Sequence, residues 1–531
     1  MKSKSPRLAL ATAVLVALAG LSQAQAADII PVITDPAGFG YNETTPVDPV
    51  GGNPGTTRGA QRQIVARYAA ALWGNVLQSN VPIFIQARFL NLAPNVLGSA
   101  GATFVNTDFP NAPFADTWYH TALADSLAGV DLVPNQFDIQ SQFSTNFTFY
   151  YGLDGNTPAG QVNFLDVVMH EYAHGLGFSN FENEATGTFF NGRKDAYSIF
   201  TYDNTVAKFW PDMTISERMA SGVNDGNVVF TGALATAGAK LLLSPLTLLN
   251  VTAPPAIAGG YRYGAATFGP AATSANFSGA VVLGVDPSDA SGASTTDGCS
   301  PLTSDVAGKI ALIDRGTCGF VIKVKNAQNA GATAVIIADN AAGQPAGLGG
   351  ADPTITIPSV RVSLASGNAF KANLAGMQVS GFSQDSSRLT GADALGRPQL
   401  FMPNPVQGGS SGSHYDSFAA PNLLMEPAIN STLRSYFNLD ITPALFADLG
   451  WKLNPGNAKI GTCDTGVDAV DDAGIITGAN VVAQYEVCKV QFPGNKLQYT
   501  KCMTNHGTKL RSMGLINSTQ HAKVVQCTSL N

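Results

Sequence analysis

The sequence predicts an α+β chain in which a β-rich module interrupts a larger mixed domain and a small disulfide-linked helical region follows. Three observations predict this. Helical and strand periodicities alternate up to about residue 178. The composition changes near residue 254 and changes back after 386. Four of the six cysteines fall in the last 69 residues. With 531 residues, 45% of them hydrophobic, the chain can bury more than one core.

Residues 1–26 carry Lys2, Lys4 and Arg7, an apolar run, and Ala24-Gln25-Ala26, the layout of a secretory signal peptide with its cleavage site. That run is too short for a membrane span, and no later stretch reaches the ~20 apolar residues a span needs. The expectation is a secreted, extracellular protein of bacterial style. A net charge of −7 with 13% charged residues speaks against nucleic-acid partners.

From 28 to 58 the chain is rich in Gly, Pro and Thr and reads as extended. "RQIVARYAAALWGNVL" (62–77) has helical spacing, while 81–92 and 138–152 read as strands. "NFLDVVMHEYAHGLGF" (163–178) is helical again and stops at glycine. These make up the first part of the mixed domain, 27–253, with its key helix at 161–178. Within 254–386, "GKIALIDRGTCGFVIKVKNAQNAGATAVIIADN" (308–340) sets two buried-type strands around a helix. The composition of the mixed domain returns at 387–453, "KLNPGNAKIGTC" (452–463) reads as a linker, and 455–531 contains helical pieces such as 496–514.

An even cysteine count in an exported chain favours disulfides. Cys299 and Cys318 stand together in mid-chain, while Cys463, Cys488, Cys502 and Cys527 allow three pairings among which the sequence does not choose. The weaker alternative is a structural zinc site from Cys488, Cys502, His506, His521 and Cys527. "DTGVDAVDDAG" (464–474) lacks the spacing of a calcium loop, so calcium has no support and the stretch reads as a solvated linker.

"VVMHEYAHGLGFSN" (167–180) holds H-E-x-x-H at His170, Glu171 and His174. With six His and seven Glu in the chain, a chance match is expected on the order of 10⁻³ times. Histidines at i and i+4 share one helix face and can reach one zinc ion, and the Glu between them can take a proton from a water that the metal has acidified. A third ligand is then required. Asn180 stands where an extended form of the pattern has its last histidine, but a neutral amide is a weak zinc donor. His120 reads as a helix residue, and His506 and His521 belong to the tail. Glu182 and Glu184 follow too closely, and Glu217 is a rival on a later helix. His414, in "GGSSGSHYDSFAAPNLLMEP", is the strongest candidate.

The pairing of HEYAHGLGF with a distant SHYD…LLMEP resembles the leishmanolysin-type branch of the metzincin zinc metalloproteases, in which a long insertion separates the zinc helix from the third histidine. The resemblance implies a metzincin-like catalytic domain with His170, His174 and His414 as ligands and Glu171 as the general base. It makes Gly177 the bend and Met425 the floor of the site. It further implies one Zn2+ per chain and endopeptidase activity on proteins or peptides. In this chain 239 residues separate His174 from His414. No tyrosine follows Met425 at two residues' distance, so the chain either does without that hydrogen-bond donor or uses another such as Tyr415, and Asp416 is a candidate for orienting His414. The substrate is expected to pair with an edge strand at 138–144.

Residues 254–386 resemble the protease-associated (PA) domain through the 308–340 core and "TITIPSVRVSLASGNAFKANL" (354–374). That resemblance implies a Cys299–Cys318 bridge. Two other readings stand beside the endopeptidase: a zinc-binding adhesion protein that works through its PA and tail modules, and a zinc hydrolase with a non-peptide substrate.

Overall fold

The computed structural model describes residues 26–430 and 432–531. The expected signal peptide therefore lies outside the described residues, save Ala26, which bridges Gln78.

A four-stranded sheet comes first. Strands β1 (Ile29–Ile33), β2 (Ile83–Leu90), β3 (Gly98–Ala102) and β4 (Ile139–Ser144) stand in the order β1-β2-β4-β3. The first three in that order are parallel, and β3 runs antiparallel to β4. β2 alternates as a half-buried strand should, with Ile83, Ile85, Ala87 and Phe89 buried. Two sequence expectations change here. The Gly/Pro-rich start supplies the parallel strand β1 rather than a free extension. The stretch expected to pair with substrate, β4, is an interior strand, its backbone already shared between β2 and β3. The edge beside the cleft is β3, a "GSAGA" run too small and apolar-poor to show strand periodicity.

Helix α1 (Arg58–Val76) starts at the side-chain cap Thr57. Helix α2 (Thr121–Ala128) follows the short pairing of Tyr119–His120 with Val105–Asn106. Helix α3 (Phe164–Leu176) carries H-E-x-x-H, and every one of its residues is buried. Its first turn is capped by the Asn163 side chain, which accepts from the Leu165 and Asp166 N–H groups. Phe164 then enters an aromatic cluster with Phe143 and Phe149 (ring centroids 5.1 Å), Tyr151 (5.3 Å) and Phe89 (5.5 Å). Such pairs contribute about 0.5–1.5 kcal/mol each beyond area burial. Two indoles pin the helix along its length: Trp73 Nε1 donates to Met169 O (3.1 Å), and Trp451 Nε1 donates to Leu176 O (2.8 Å).

Strands Pro245–Ala253 and Gln378–Leu389 run antiparallel and carry the chain into and out of a separate eight-stranded sheet. Its middle strands, Ser278–Leu283, Ile310–Asp314, Ala334–Ala338 and Ser359–Val362, are parallel. They bury one apolar cluster on each face, around Leu312 and Ile336 and around Ile313 and Val335. Cys299 and Cys318 form a disulfide there. A polar junction joins this sheet to the rest. The Gln344 backbone N–H donates to Asp225 (2.6 Å), and its side-chain amide donates to Asp416 (2.5 Å).

The tail shares the large core rather than building its own, through helices α4 (Thr477–Gln491), α5 (Lys496–Ser512) and α6 (Ser518–Leu530). Its disulfides are Cys463–Cys527 and Cys488–Cys502, which removes the thiolates that a structural zinc site would need. The expected linkers are strands instead: Lys452–Leu453 pairs Leu77–Gln78, and Asn457–Ile460 pairs Cys463–Asp468. Their pairing partners are remote or across a tight turn, so composition alone reads them as coil. Among the described residues no helix is long and apolar enough to cross a membrane.

Candidate metal centre

The helical repeat puts His170 and His174 on one face of α3, one turn apart. At the end of the helix Gly177 takes φ +135°, a conformation side-chain-bearing residues rarely adopt, and so reverses the chain. That reversal returns the Phe178 carbonyl to His174, whose Nδ1–H donates to it at 2.7 Å. His414 arrives on a loop held between two neighbours. Phe401 N–H donates to His414 O, and Tyr415 N–H donates to Met425 O. Met425 is fully buried in a turn whose preceding residue, Leu424, offers its carbonyl to His170 Nδ1 at 2.7 Å. His414 Nδ1 donates to Ser410 O at 2.8 Å.

These three bonds decide the chemistry. A carbonyl can only accept, so each Nδ1 carries the proton and each Nε2 is left with a bare lone pair. The three Nε2 atoms face one another, with His174 at 3.1 Å from His170 and 3.2 Å from His414, and His414 at 3.2 Å from His170. No donor lies between them, so the contacts repel unless a cation is shared. Ligand nitrogens on a tetrahedral zinc, at about 2.0–2.1 Å from the metal, lie about 3.3 Å apart. The residues present fit that ion. Among the described residues this is the one cluster of three or more His, Cys, Asp or Glu groups whose ligand atoms come within 4.8 Å of each other. Burial reinforces the neutral form, lowering His170 to about 4 and His414 to about 3, and holding His174 well below the usual range.

Glu171 lies in the same cleft, of about 550 Å³, with Gly98, Ser99, Ala100, Ser179, Asn180 and Ser413 in its walls. Burial raises its carboxyl to about 8, opposed by the Ala100 backbone N–H that donates to it from β3. A dication beside it would favour the carboxylate instead. Gly98 is where close approach demands glycine, since a Cβ there would lie 2.8 Å from Glu171 Oε1.

Other sequence candidates sit elsewhere. Asn180 lines the cleft, but its side-chain amide donates to Glu184 Oε1 (2.9 Å). Glu217 caps its own short helix and pairs with Lys208 at 2.6 Å. Asp416 does not touch His414, because the shorter route for Nδ1 is the carbonyl of Ser410 within the same loop, and Asp416 turns to Gln344. Tyr415 is fully buried against Phe178 and is absent from the cleft wall. His521 faces Thr504 O, and His506 Nε2 donates to Asn480 Oδ1 at 2.8 Å. His120, expected in a helix, belongs instead to the short strand Tyr119–His120. It is buried, precedes α2, and bonds Ser179 Oγ at 2.8 Å. Neither β3 nor the three carbonyl partners had a signal in the sequence, because backbone groups carry no residue code.

Two families match parts of the chain: the PA domain over residues 272–370, and the family described as SPBPB7E8-like over residues 56–200, which takes in α1, α3 and the H-E-x-x-H residues. Among curated proteins, the chain is 40% identical over 111 residues to a receptor homology region, transmembrane domain- and RING domain-containing protein 1 of Oryza sativa subsp. japonica, covering 20% of this chain and 19% of that protein. It is 35% identical over 138 residues to vacuolar-sorting receptor 2 of Arabidopsis thaliana, covering 24% and 22%. With a probable lipoprotein aminopeptidase LpqL of Mycobacterium tuberculosis it shares 40% identity over 91 residues, covering 15% and 18%. The chain thus spans less than a quarter of the length of these relatives. Among solved structures, an aminopeptidase from Aneurinibacillus sp. strain AM-1 is 26% identical, with TM-score 0.18 over 29% of this chain and 39% of that one. The zinc aminopeptidase BSAP from Bacillus subtilis is 20% identical, with TM-score 0.19 over 30% and 38%. These likenesses are partial, and the family match places a PA domain within residues 272–370.

Proposed function

We propose that this chain is a secreted zinc metalloendopeptidase with a metzincin-like catalytic domain. The single observation that carries the reading is the convergence of three unprotonated Nε2 atoms, from His170, His174 and His414, beside the carboxyl of Glu171. Zinc, when held there, supplies a Lewis acid that polarises a peptide carbonyl and acidifies a water molecule.

The remaining work falls to the chain's own residues. Glu171 takes the proton from the attacking water and passes it to the leaving amine. Its carboxyl is placed by the Ala100 N–H and by the absence of a side chain at Gly98. The exposed edge of β3 offers backbone groups to an extended peptide, the pairing mode by which a strand adds to a sheet. Three disulfides suit an oxidising, extracellular location.

Hydrolysis of casein by the full chain tests the reading. Activity that stops with a chelator and returns with zinc is the expected result. Zinc binding without any turnover would favour the adhesion protein, and turnover of esters but not peptides would favour the non-peptide hydrolase.

A further inference from the structure

Attack on a peptide carbonyl leaves negative charge on its oxygen, and a fixed hydrogen-bond donor aimed there lowers the barrier. Tyr415 cannot serve, since it lies buried behind the cleft. The Asn180 side chain is committed to Glu184, and Ser413 Oγ, itself buried, receives the Asn180 backbone N–H at 3.2 Å. Ser179 is different. It is half-buried, it lines the cleft, and its hydroxyl has one hydrogen-bonding neighbour among the described residues, the His120 ring.

His120 comes from a hairpin 59 positions nearer the N-terminus and packs against Phe181 with ring centroids 4.4 Å apart and the planes tilted by 37°. A buried imidazole in an aromatic layer loses its hydration, and an apolar ring would fill the space at less cost. The polar ring has one visible purpose, to hold Ser179 Oγ. In the tautomer that carries its proton on Nε2, His120 donates into an Oγ lone pair, which leaves the hydroxyl proton to point into the cleft as the second donor of a chain that strengthens it. Ser179 also follows Phe178 directly, the residue whose carbonyl orients His174, so the hydroxyl is rooted to the same turn as a metal ligand.

We propose that Ser179 is a catalytic hydrogen-bond donor to the carbonyl oxygen of the scissile peptide, with His120 as its positioning residue. No proton is transferred and no bond to Ser179 forms. The proposal rests on the metallopeptidase reading and deepens it.

The test uses the zinc-loaded full chain, a fluorogenic peptide, and a phosphinic peptide whose tetrahedral oxygens stand where the attacked carbonyl oxygen would be. Ser179→Ala should lower kcat on the order of 10²-fold and weaken the phosphinic peptide by a similar factor, with KM and zinc content nearly unchanged. Ser179→Thr should restore most of the loss. His120→Gln, which keeps a donor of different reach, should fall between, and joined with Ser179→Ala it should add nothing further. Wild-type kcat in Ser179→Ala, a loss expressed wholly in KM, or labelling of Ser179 by a fluorophosphonate would overturn the proposal while leaving the metallopeptidase standing. A wild-type chain that neither cleaves the peptide nor binds the phosphinic analogue would instead remove the underlying reading, and this one with it.

Discussion

His506 in the tail and the three histidines of the cleft live in similar surroundings. The three cleft rings are buried and His506 is half-buried, desolvation depresses His506 to about 3 as it does His414, and a cavity adjoins each place, about 280 Å³ beside His506 and about 550 Å³ in the cleft. What their nitrogens face differs. His506 Nε2–H is answered by Asn480 Oδ1, and Asn480 in turn donates to Tyr68 Oη and Tyr436 O, a closed structural network. In the cleft every Nδ1–H is spent on a backbone carbonyl, so three Nε2 lone pairs face one common point. A perturbed buried histidine is therefore no sign of a metal by itself. The direction of its free nitrogen is.

The sharpest way to break this contrast is at the base. Glu171→Ala should cut turnover on the order of 10³-fold while metal content stays near that of the wild type, measured by elemental analysis beside a peptidase assay. Full activity in that variant would remove Glu171 from the mechanism. Next, His414→Ala should weaken zinc at least ~10²-fold, whereas His506→Ala and Asn180→Ala should keep it. Zinc lost from either of the latter would erase the distinction between the two regions. Gly98→Ala should reduce kcat by roughly 10-fold or less, because a Cβ 2.8 Å from Glu171 Oε1 displaces the end of a flexible side chain rather than backbone.

The smallest effects belong to the tail. His506→Ala leaves Asn480 Oδ1 without its donor and should cost about 1–3 kcal/mol in a denaturant melt, with peptide cleavage unchanged. Its pH dependence has a definite sign. The folded ring, at about 3 against an ordinary 6.5, binds fewer protons than the unfolded one. Stability from this position is thus complete above the unfolded value and is lost as the pH falls toward 3. Melts of His506→Phe should show a shallower acid decline than the wild type between those limits, and parallel curves would contradict the assignment.

The site is legible in the sequence to the extent that it follows from one helix. The i, i+4 spacing places His170 and His174 together, and Gly177 announces the bend because only a residue without a Cβ takes its φ readily. His414 is reached through its neighbours in SHYD…LLMEP rather than through any spacing. The expected substrate strand falls at 138–144 rather than on β3 because alternation marks a strand without saying whether its edges are free, and β3 offers no alternation to weigh against it. Asp416 stands close to His414 in sequence, but orientation goes to a carbonyl four residues upstream. The stretches at 452–463 and 464–474 look like linkers, since short strands made by pairing leave no pattern of burial long enough to detect.

By itself the sequence determined an α+β chain, a β-α-β core within its insertion, one helix able to present two imidazoles and a carboxyl to a single point, and an even set of cysteines. These depend on periodicities of a few residues, which local backbone geometry enforces. Only the tertiary structure decided how the tail cysteines pair, which strand is an edge, where Tyr415 points, and that three carbonyls fix three tautomers around a common centre. Those outcomes depend on groups brought together across as many as 254 positions, as in the bond from His170 to Leu424, and local rules carry no information over that distance.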